Sequence, residues 1–411
     1  MLIKKLMIHP GKVKCPEHRV PAKERKKLNV ILIKRLIWIP IFLISGFICV
    51  SSVFAQNKPE EIVLQNSVSV NRGLSQAAPE AGKTRTLVIS AVGDCTLGND
   101  VKQVSSVCFN SVYDQLGPDH FFKYTKNLFS LDDLTIANLE GVLTEKGSPN
   151  PNKTWRFRGK PEYIKMLTDA GIEAVSIANN HSRDYGEVSY EDTKSNLDLY
   201  GLPYSLEDNV CVVEANGVKV GIISIQSAFR YGDSLHDVEY PDTDYLKNLF
   251  LIKLSEVQSA GAELVLAAFH WGVENTREVS EQQQILGHFA IDNGADLVIG
   301  HHPHVLQPVE CYKGRYILYS LGNFCFGGNK NPVDKQTMIW QQTFQIAKDG
   351  TVSSPLAHIV PCRVSSVTDK NDYCPTPLIL GPEREKILSL MNRISEPFGV
   401  GFDAEANVLT P

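Results

Sequence analysis

Apolar runs that end in polar residues recur along this chain and predict its fold and its site. Each run is long enough for a buried strand. The six runs are LVISAVGD ending at Asp94, LTIANLE ending at Glu140, AVSIANNH ending at His181, LVLAAFH ending at His270, DLVIGHHPH ending at His304, and YILYSLGNF closing on Asn323. In an open α/β sheet the carboxyl ends of the strands gather around one crevice. The runs therefore predict a single polar site assembled from distant parts of the chain.

The segments between these runs have the periodicity of amphipathic helices or the turn residues of hairpins. Helices are predicted around FFKYTKNLFSL, PEYIKMLTDAG, YEDTKSNLDLYG, YLKNLFLIKLSEVQSAG, SEQQQILGHFAIDNGA and EREKILSLMNRI. Hairpins are predicted to turn at Asn216-Gly217, Lys313-Gly314 and Asp349-Gly350. This alternation predicts one layered α/β domain over 85–365, with mixed sheets. Residues 366–411 are rich in proline and polar groups and are predicted to form a C-terminal tail.

The first 55 residues differ from the rest of the chain. Residues 1–35 are strongly basic, and the apolar run 36–55 follows them. About 20 apolar residues can span a bilayer, and a basic flank stays on the cytoplasmic side. We therefore expect a cytoplasmic segment 1–35, a signal peptide or membrane anchor at 36–55, a linker at 56–84, and an extracytoplasmic domain. Val53-Phe54-Ala55 fits a cleavage site, so a secreted form and an anchored form both stay open.

Composition and charge narrow the class of protein. The chain is 43% hydrophobic and 21% charged, which argues against broad disorder. Its net charge of −5 gives no case for nucleic-acid binding. Seven of the nine cysteines lie beyond Ala55, where disulfides are permitted outside the cell, and the odd number leaves at least one thiol unpaired. Cys362 and Cys374 are the favoured pair, because a bridge there would fasten the tail.

Six motifs, taken together and in order, carry a family resemblance. They are GDCTLG, ANLEGVLT, SIANNHSRDYG, FHWGVE, GADLVIGHHPHVLQPVE and GRYILYSLGNF. The chain resembles the CapA family, also called PgsA, of bacterial capsule proteins linked to poly-γ-glutamate synthesis and export. That family is similar to the calcineurin-like metallophosphoesterases. The resemblance implies a metallo-dependent phosphatase-like four-layer α-β-β-α sandwich, with an anionic polymer and other membrane capsule-synthesis proteins as partners.

The resemblance also implies a set of metal ligands. The implied ligands are Asp94, Glu140, Asn180, His270, His302 and His304, with His301 competing for the place of His302. Such carboxylate, amide and imidazole groups suit Mn²⁺, Fe²⁺, Zn²⁺ or Mg²⁺. Asp94 and His181 would be catalytic, with His181 protonating a leaving group. The chain departs from the phosphoesterase motifs at Thr96 in place of a histidine, at Glu140 in place of GDxxD, and at Ser182 in place of an acid.

A second set of residues is predicted to contact substrate. These are Asn138, Asn179, Asp184, Tyr185, Arg156, Arg158, Glu274, His301 and Asn323. Asp184 and Tyr185 could instead cap a helix, and Asn323 could pin a strand end. The loop TWRFRGKP interleaves basic and aromatic residues, so it could grip an anionic polymer or be a solvated face. His288 and Cys95 are interpreted as packing residues.

Three functions remain open from the sequence. The first is an extracytoplasmic capsule-biosynthesis protein that acts on poly-γ-glutamate or a similar polymer, with or without catalysis. The second is a metal-dependent phosphoesterase or other hydrolase, an analogy that rests on the fold. The third is a non-catalytic scaffold of a membrane polymer-synthesis complex. Metal content separates the third from the other two, and phosphodiester turnover separates the second from the first.

Overall fold

The computed structural model describes residues 84–228 and 242–410. The basic segment 1–35, the apolar run 36–55 and the linker up to residue 83 lie outside these ranges, so the expectations for them stay predictions. Among the described residues, no helix has the length and hydropathy that a membrane crossing requires.

Nineteen strands and seven α-helices make up the described part of the chain. The strands are β1 (Arg85–Thr96), β2 (Asn99–Asp100), β3 (Leu134–Leu139), β4 (Val142–Leu143), β5 (Phe157–Gly159), β6 (Ala174–Ser176), β7 (Tyr204–Ser205), β8 (Cys211–Ala215), β9 (Val218–Gln226), β10 (Leu264–His270), β11 (Leu297–His301), β12 (Val309–Tyr312), β13 (Arg315–Leu318), β14 (Asn323–Phe326), β15 (Gln336–Ile346), β16 (Val352–Arg363), β17 (Thr376–Pro377), β18 (Gly401–Phe402) and β19 (Val408–Leu409). The helices are α1 (Phe109–Leu116), α2 (Lys126–Phe129), α3 (Ile164–Ala170), α4 (Glu187–Tyr200), α5 (Thr243–Ser259), α6 (Glu281–Asn293) and α7 (Pro382–Ser395).

Two large mixed sheets form the centre of the fold. The first has the order β17-β16-β15-β1-β3-β6-β7, and β14 also pairs with β1. Its strands β1, β3, β6, β7 and β14 pair in parallel, whereas β15, β16 and β17 are antiparallel. The second sheet has the order β12-β13-β11-β10-β9-β8, with parallel strands inside and an antiparallel strand at each edge.

Three clusters of buried apolar residues define the layers. One cluster lies between the sheets and includes Ile89 and Trp340 of the first sheet and Leu266 of the second. Another joins the first sheet to α1–α4, and a third joins the second sheet to α5 and α6. Apolar side chains on both faces of each sheet are therefore removed from water, which is the main stabilising term of such a fold. The order helix, sheet, sheet, helix confirms the predicted four-layer α-β-β-α sandwich.

The predicted hairpins are present, and their turns have the backbone that the turn residues favour. β8 and β9 pair antiparallel around Asn216 and Gly217, whose φ angles are 46° and 72°. β12 and β13 turn at Lys313 and Gly314, with φ angles of 50° and 74°. Two successive residues with positive φ match the right-handed twist of the flanking strands.

Residues after 365 contribute to the same core. β17 pairs with β16, and α7 begins at Pro382, the position where a helix tolerates proline. Ile387 and Met391 of α7 belong to the cluster between the sheets. The helix predicted around EREKILSLMNRI is thus part of the packed domain.

Two local predictions were wrong. The segment FFKYTKNLFSL forms turns and only the four-residue helix α2. Cys362 and Cys374 are not bridged, and all seven cysteines of the described residues are free. The Cys362 thiol donates to the carbonyl of Val360 on its own strand, at 3.3 Å. Burial raises the pKa of Cys374 to about 12, so the thiolate needed for disulfide exchange is scarce.

Candidate functional site

The candidate site lies where strand ends of both sheets meet. In the first sheet, Asp94 of β1 is in register with Asn138 of β3 and with Asn323 of β14. In the second sheet, His270 of β10 is in register with His301 of β11. All five side chains are buried. Parallel pairing therefore brings together residues that the sequence holds far apart, as the apolar runs predicted.

Asp94 connects the two sheets. Its Oδ1 accepts a hydrogen bond of 2.8 Å from Asn138 and lies 3.2 Å from His301 Nδ1. Its Oδ2 lies 3.3 Å from His304 Nδ1 and accepts the backbone N–H of His302 at 3.4 Å. Although burial favours the neutral acid, His301 and His304 hold the pKa of Asp94 well below its ordinary value. Asp94 is therefore an ionised carboxylate with both oxygens engaged.

Glu140 follows β3 and is fully buried, and its Oε1 has no hydrogen-bond partner. This oxygen lies 3.7 Å from His270 Nε2, 3.8 Å from His304 Nε2 and 4.0 Å from His181 Nε2. The hydroxyl of Thr96 donates to the other carboxylate oxygen at 3.4 Å. Burial raises the pKa of Glu140 to about 8. Three imidazole nitrogens thus surround one carboxylate oxygen without bonding to it.

These spacings suit a shared cation. They are longer than hydrogen bonds, whereas ligands about 2.0–2.2 Å from one ion lie roughly 3–4 Å from one another. Ligand atoms of Glu140, His302 and His304 all lie within 4.8 Å of one another. His302 Nδ1 is a second buried atom without a hydrogen-bond partner. Because unpartnered buried polar atoms are costly, the donor set fits a divalent metal held by these three residues.

Two of the imidazoles are fixed through their second nitrogen. His304 Nδ1 lies 2.9 Å from Asn323 Oδ1, and His181 Nδ1 lies 2.8 Å from Asp184 Oδ2. Histidines that bind metals usually donate their second N–H to such an oxygen. Both rings therefore leave Nε2 available at the centre of the site.

The backbone of the HHPH segment is strained. His302 and His304 have φ angles of 95° and 58°, which residues other than glycine rarely adopt. The segment is held in part by the N–H of Asn275, which donates to the carbonyl of Pro303 at 2.8 Å. Burial lowers the pKa of His302 to about 3. Against burial, the neighbouring acidic side chains of Glu140 and Asp94 raise the pKa of His304. The strained backbone at His302 and His304 is typical of functional sites, where such strain is concentrated.

Three asparagines orient the histidines. Asn179 Nδ2 donates to Asn138 Oδ1 at 3.2 Å and to the carbonyl of Leu139 at 2.8 Å. Asn138 Nδ2 lies 3.5 Å from His270 Nδ1, and His270 Nε2 lies 2.9 Å from Asn180 Oδ1. The predicted ligand Asn180 and the predicted substrate residues Asn138 and Asn179 therefore form a network within the site.

His181, Asp184 and Lys153 form a second buried network. Asp184 accepts the backbone N–H of Phe157 at 2.6 Å and pairs with Lys153 Nζ at 2.5 Å. Lys153 also donates to the carbonyl of Asn180. Burial lowers the pKa of His181, so its ring is neutral near pH 7. Although burial opposes ionisation, His181 and Lys153 lower the pKa of Asp184. Asp184 thus orients His181 from inside the fold.

A cleft of about 840 Å³ opens onto this cluster. It is lined by four predicted site residues and by three aromatic side chains: His181, Glu274, His304, Asn323, Trp155, Phe157 and Phe326. Lys102, Arg277 and Lys330 contribute basic groups to its wall. The interior histidines are therefore reachable from solvent through His181 and His304.

The arginines of the TWRFRGKP loop are engaged within the protein. Arg156 Nη1 donates to the carbonyl of Asn150 at 3.1 Å, and Arg158 Nη2 donates to that of Gly147 at 2.9 Å. The Arg158 guanidinium lies 3.6 Å from the centre of the Tyr185 ring. These contacts stabilise the loop backbone and place Tyr185 beneath Arg158, outside the lining of the cleft.

Sequence reasoning missed two residues of the site. Thr96 stands where a metallophosphoesterase would carry a histidine, and its hydroxyl reaches Glu140. Its position two residues after Asp94 was the available signal. Lys153 lies in an irregular loop, and no local pattern marks it. The two residues interpreted as packing lie elsewhere: His288 stacks on a tyrosine at 3.9 Å, and Cys95 is in the core beneath the first sheet.

The four-layer sandwich, with its His, Asn and carboxylate cluster at the strand ends, is a metallophosphatase-like fold. Residues 88–328 match the family described as "Bacterial capsule synthesis protein PGA_cap". The chain belongs to this family of capsule synthesis proteins.

Two relatives are named for capsule or PGA synthesis. "PGA biosynthesis protein CapA" of Bacillus subtilis (strain 168) is 32% identical over 249 residues, which are 58% of this chain and 63% of that protein. "Capsule biosynthesis protein CapA" of Bacillus anthracis is 30% identical over 332 residues, covering 75% of this chain and 77% of that protein. A structure of a proposed 5′-nucleotidase from Staphylococcus aureus aligns with a TM-score of 0.42 at 13% identity, over 75% of this chain and 58% of that one.

Proposed function

We propose that this protein acts in capsule synthesis outside the cytoplasmic membrane, where its cleft binds a carboxylate-rich polymer such as poly-γ-glutamate. The observation that carries the proposal is the unpartnered Glu140 Oε1, with three imidazole nitrogens within 4.0 Å, beneath an open cleft. Membership of the capsule synthesis family and the names of the two Bacillus relatives support the polymer class. Other membrane proteins of capsule synthesis are the expected partners.

A divalent cation is part of this proposal. Glu140, His302 and His304 would hold it, with His270 and Asp94 beside them. When bound, such an ion neutralises anionic groups and polarises a carbonyl or phosphoryl oxygen. It would also attract the carboxylates of the polymer into a site whose own carboxylates would otherwise repel them.

His181 favours a second candidate function, hydrolysis within the same cleft. Its ring is neutral near pH 7, its Nδ1 lies 2.8 Å from the Asp184 carboxylate, and the residue lines the cleft. A histidine held in this way can accept or donate a proton at a scissile ester, amide or phosphoester. Lys153 and Asp184 would position it without contacting substrate.

Metal content tests the first part of the proposal. The full-length protein, expressed with added Mn²⁺, Fe²⁺ or Zn²⁺, should contain a divalent metal after purification. Glu140→Gln should weaken binding at least about 10–100-fold, since changes outside the ligand shell already cost that much. Glu310→Gln is the matched control, because that carboxylate also contacts a histidine, at 2.9 Å, but lies outside the site. A parent protein free of metal, or an equal loss in both variants, would contradict the proposal.

Polymer binding and turnover separate the two candidate functions. The parent should bind poly-γ-glutamate, and metal removal should weaken that binding. Hydrolysis would be favoured if the parent released shorter chains from the polymer or turned over a generic phosphodiester, and if His181→Gln abolished that activity. A non-catalytic role would be favoured if the parent bound the polymer without turnover and the His181→Gln variant bound it equally well. If the protein contained its metal but did not bind poly-γ-glutamate, carboxylate-rich polymers would be excluded as its ligand.

The location is tested separately. The basic flank before the apolar run 36–55 predicts that the domain lies outside the membrane, whether anchored or released. Protease added to intact spheroplasts should digest an anchored domain, and a released one should appear in the medium. Complete protection until lysis would contradict this location.

A further inference from the structure

A second groove, of about 790 Å³, lies beside the cleft. It runs between the segment 331–336, the end of β16 and the helix α7. Both cavities share the wall formed by Arg277, Pro332, Val333 and Asp334. Val333 is fully exposed on this wall. The groove is therefore adjacent to the cleft and separated from it by one short segment of chain.

The groove carries an excess of positive charge. Its two acidic residues are each paired with an arginine: Glu383 with Arg363 at 2.5 Å, and Asp334 with Arg277. Its three remaining cations have no carboxylate partner among the described residues: Lys335, Lys386 and Arg393. Because each acidic group is neutralised by its own arginine, these three charges are uncompensated.

The three cations are mounted on fixed parts of the fold. Lys335 donates to the carbonyls of Thr368 and Lys370, at 2.7 and 2.9 Å, which fixes its position without neutralising its charge. Lys386 and Arg393 are exposed and lie seven residues apart on α7. Seven residues make two helical turns, so the two side chains lie on one face about 10 Å apart. The opposite face of α7 is packed in the core between the sheets.

We infer that this groove is an extension of the polymer path, in which Lys335, Lys386 and Arg393 bind carboxylates of a segment that has passed over the wall at Val333. The inference rests on the proposed function, since it names a second binding site for the same polymer. Each exposed ion pair between the groove and the polymer is weak alone. A polymer with a carboxylate on every unit can form all of these ion pairs at once, and once its first segment is bound in the cleft, its binding in the groove is intramolecular. A long polymer therefore gains from the groove, whereas a short oligomer is confined to the cleft.

Charge removal at the groove provides the test. Lys386→Gln and Arg393→Gln are combined in the full-length protein, because glutamine preserves helix propensity at both exposed positions. Lys348→Gln, which removes one charge far from the groove, is the control. Lys348 is exposed and follows β15, whose other end, Gln336, lines the groove. β15 has eleven residues, so the control charge lies roughly 35 Å from the groove.

The double variant should bind long poly-γ-glutamate about tenfold more weakly than the parent, with a smaller dependence on salt. Its binding of a short γ-linked glutamate oligomer and its metal content should be unchanged. If the variant and the parent bound the long polymer with equal affinity, the inferred role of the groove would be wrong, and the proposed function would be unaffected. A loss of about threefold in Lys348→Gln, which removes one charge instead of two, would overturn the role of the groove as well, since the effect would then be one of net charge. A parent that binds neither length would overturn both proposals.

Discussion

His181 Nδ1 lies 2.8 Å from Asp184 Oδ2, three residues further along the chain. The motif of the metallophosphoesterases, which this family resembles, places an acidic residue directly after this histidine, where the present chain has Ser182. The loop between β6 and α4 turns back so that Asp184 provides the carboxylate instead. The departure from the motif therefore does not leave His181 without an acidic partner.

Asp184→Asn should destabilise the fold by about 3 kcal/mol. The Asp184 side chain is fully buried and that of Lys153 is 17% exposed, so the substitution leaves a largely buried ammonium without its counter-charge. Equilibrium unfolding in denaturant measures this change. Glu187→Gln is the control, because its pair with Arg183 is exposed and should cost no more than about 0.5 kcal/mol. Similar losses in the two variants would show that Asp184 does not act as a buried ionic partner.

Lys153 and Asp184 should be energetically coupled. A double-mutant cycle with Lys153→Met and Asp184→Asn should give a coupling of roughly 1–3 kcal/mol, since the two side chains are in contact within one network. The exposed pair Lys160–Asp114, at 2.9 Å, should give less than about 1 kcal/mol in the same experiment. Additive effects of the two buried substitutions would indicate that Lys153 acts through the carbonyl of Asn180 alone.

The strand ends could be predicted from the sequence because parallel pairing follows from buried apolar runs and crossover helices. Asp94 lies beside Asn138, and His270 lies beside His301, for that reason, whereas the packing of the two sheets brings the two pairs together. The partition of roles among adjacent histidines could not be predicted, because it depends on the strained backbone at His302 and His304. The predicted pairing of Cys362 with Cys374 was also wrong, because the separation of two cysteines in the sequence does not determine the direction in which each thiol points.

His302 should make the stability of the metal-free protein depend on pH. Its pKa is about 3 in the fold, whereas an unfolded histidine titrates near 6.5. Between these values the unfolded state binds more protons, so stability falls by about 1.4 kcal/mol per unit as the pH decreases. His302→Asn removes this contribution, and asparagine tolerates positive φ. Unfolding free energies from pH 7 to pH 4, measured with chelator, should show a shallower slope in the variant. Parallel slopes would mean that His302 is not held neutral by burial.

Gly300→Ala should strongly destabilise the second sheet next to the site. A Cβ at this position would lie 2.1 Å from the carbonyl oxygen of Tyr319 and 2.5 Å from Trp271 Nε1, which donates to that same oxygen. Backbone cannot move aside as a flexible side chain can, so we expect a loss of about 3 kcal/mol in denaturant unfolding. Gly287→Ala in α6 is the matched control, because its Cβ would meet only side-chain carbons, those of Ile317 at 3.1 Å and of Trp271 at 3.6 Å, and alanine favours the helix. That variant should stay within about 1 kcal/mol of the parent. If Gly300→Ala were equally mild, the close approach of β11 to the Tyr319 carbonyl, which fixes the backbone before His301, would have to be absent in solution.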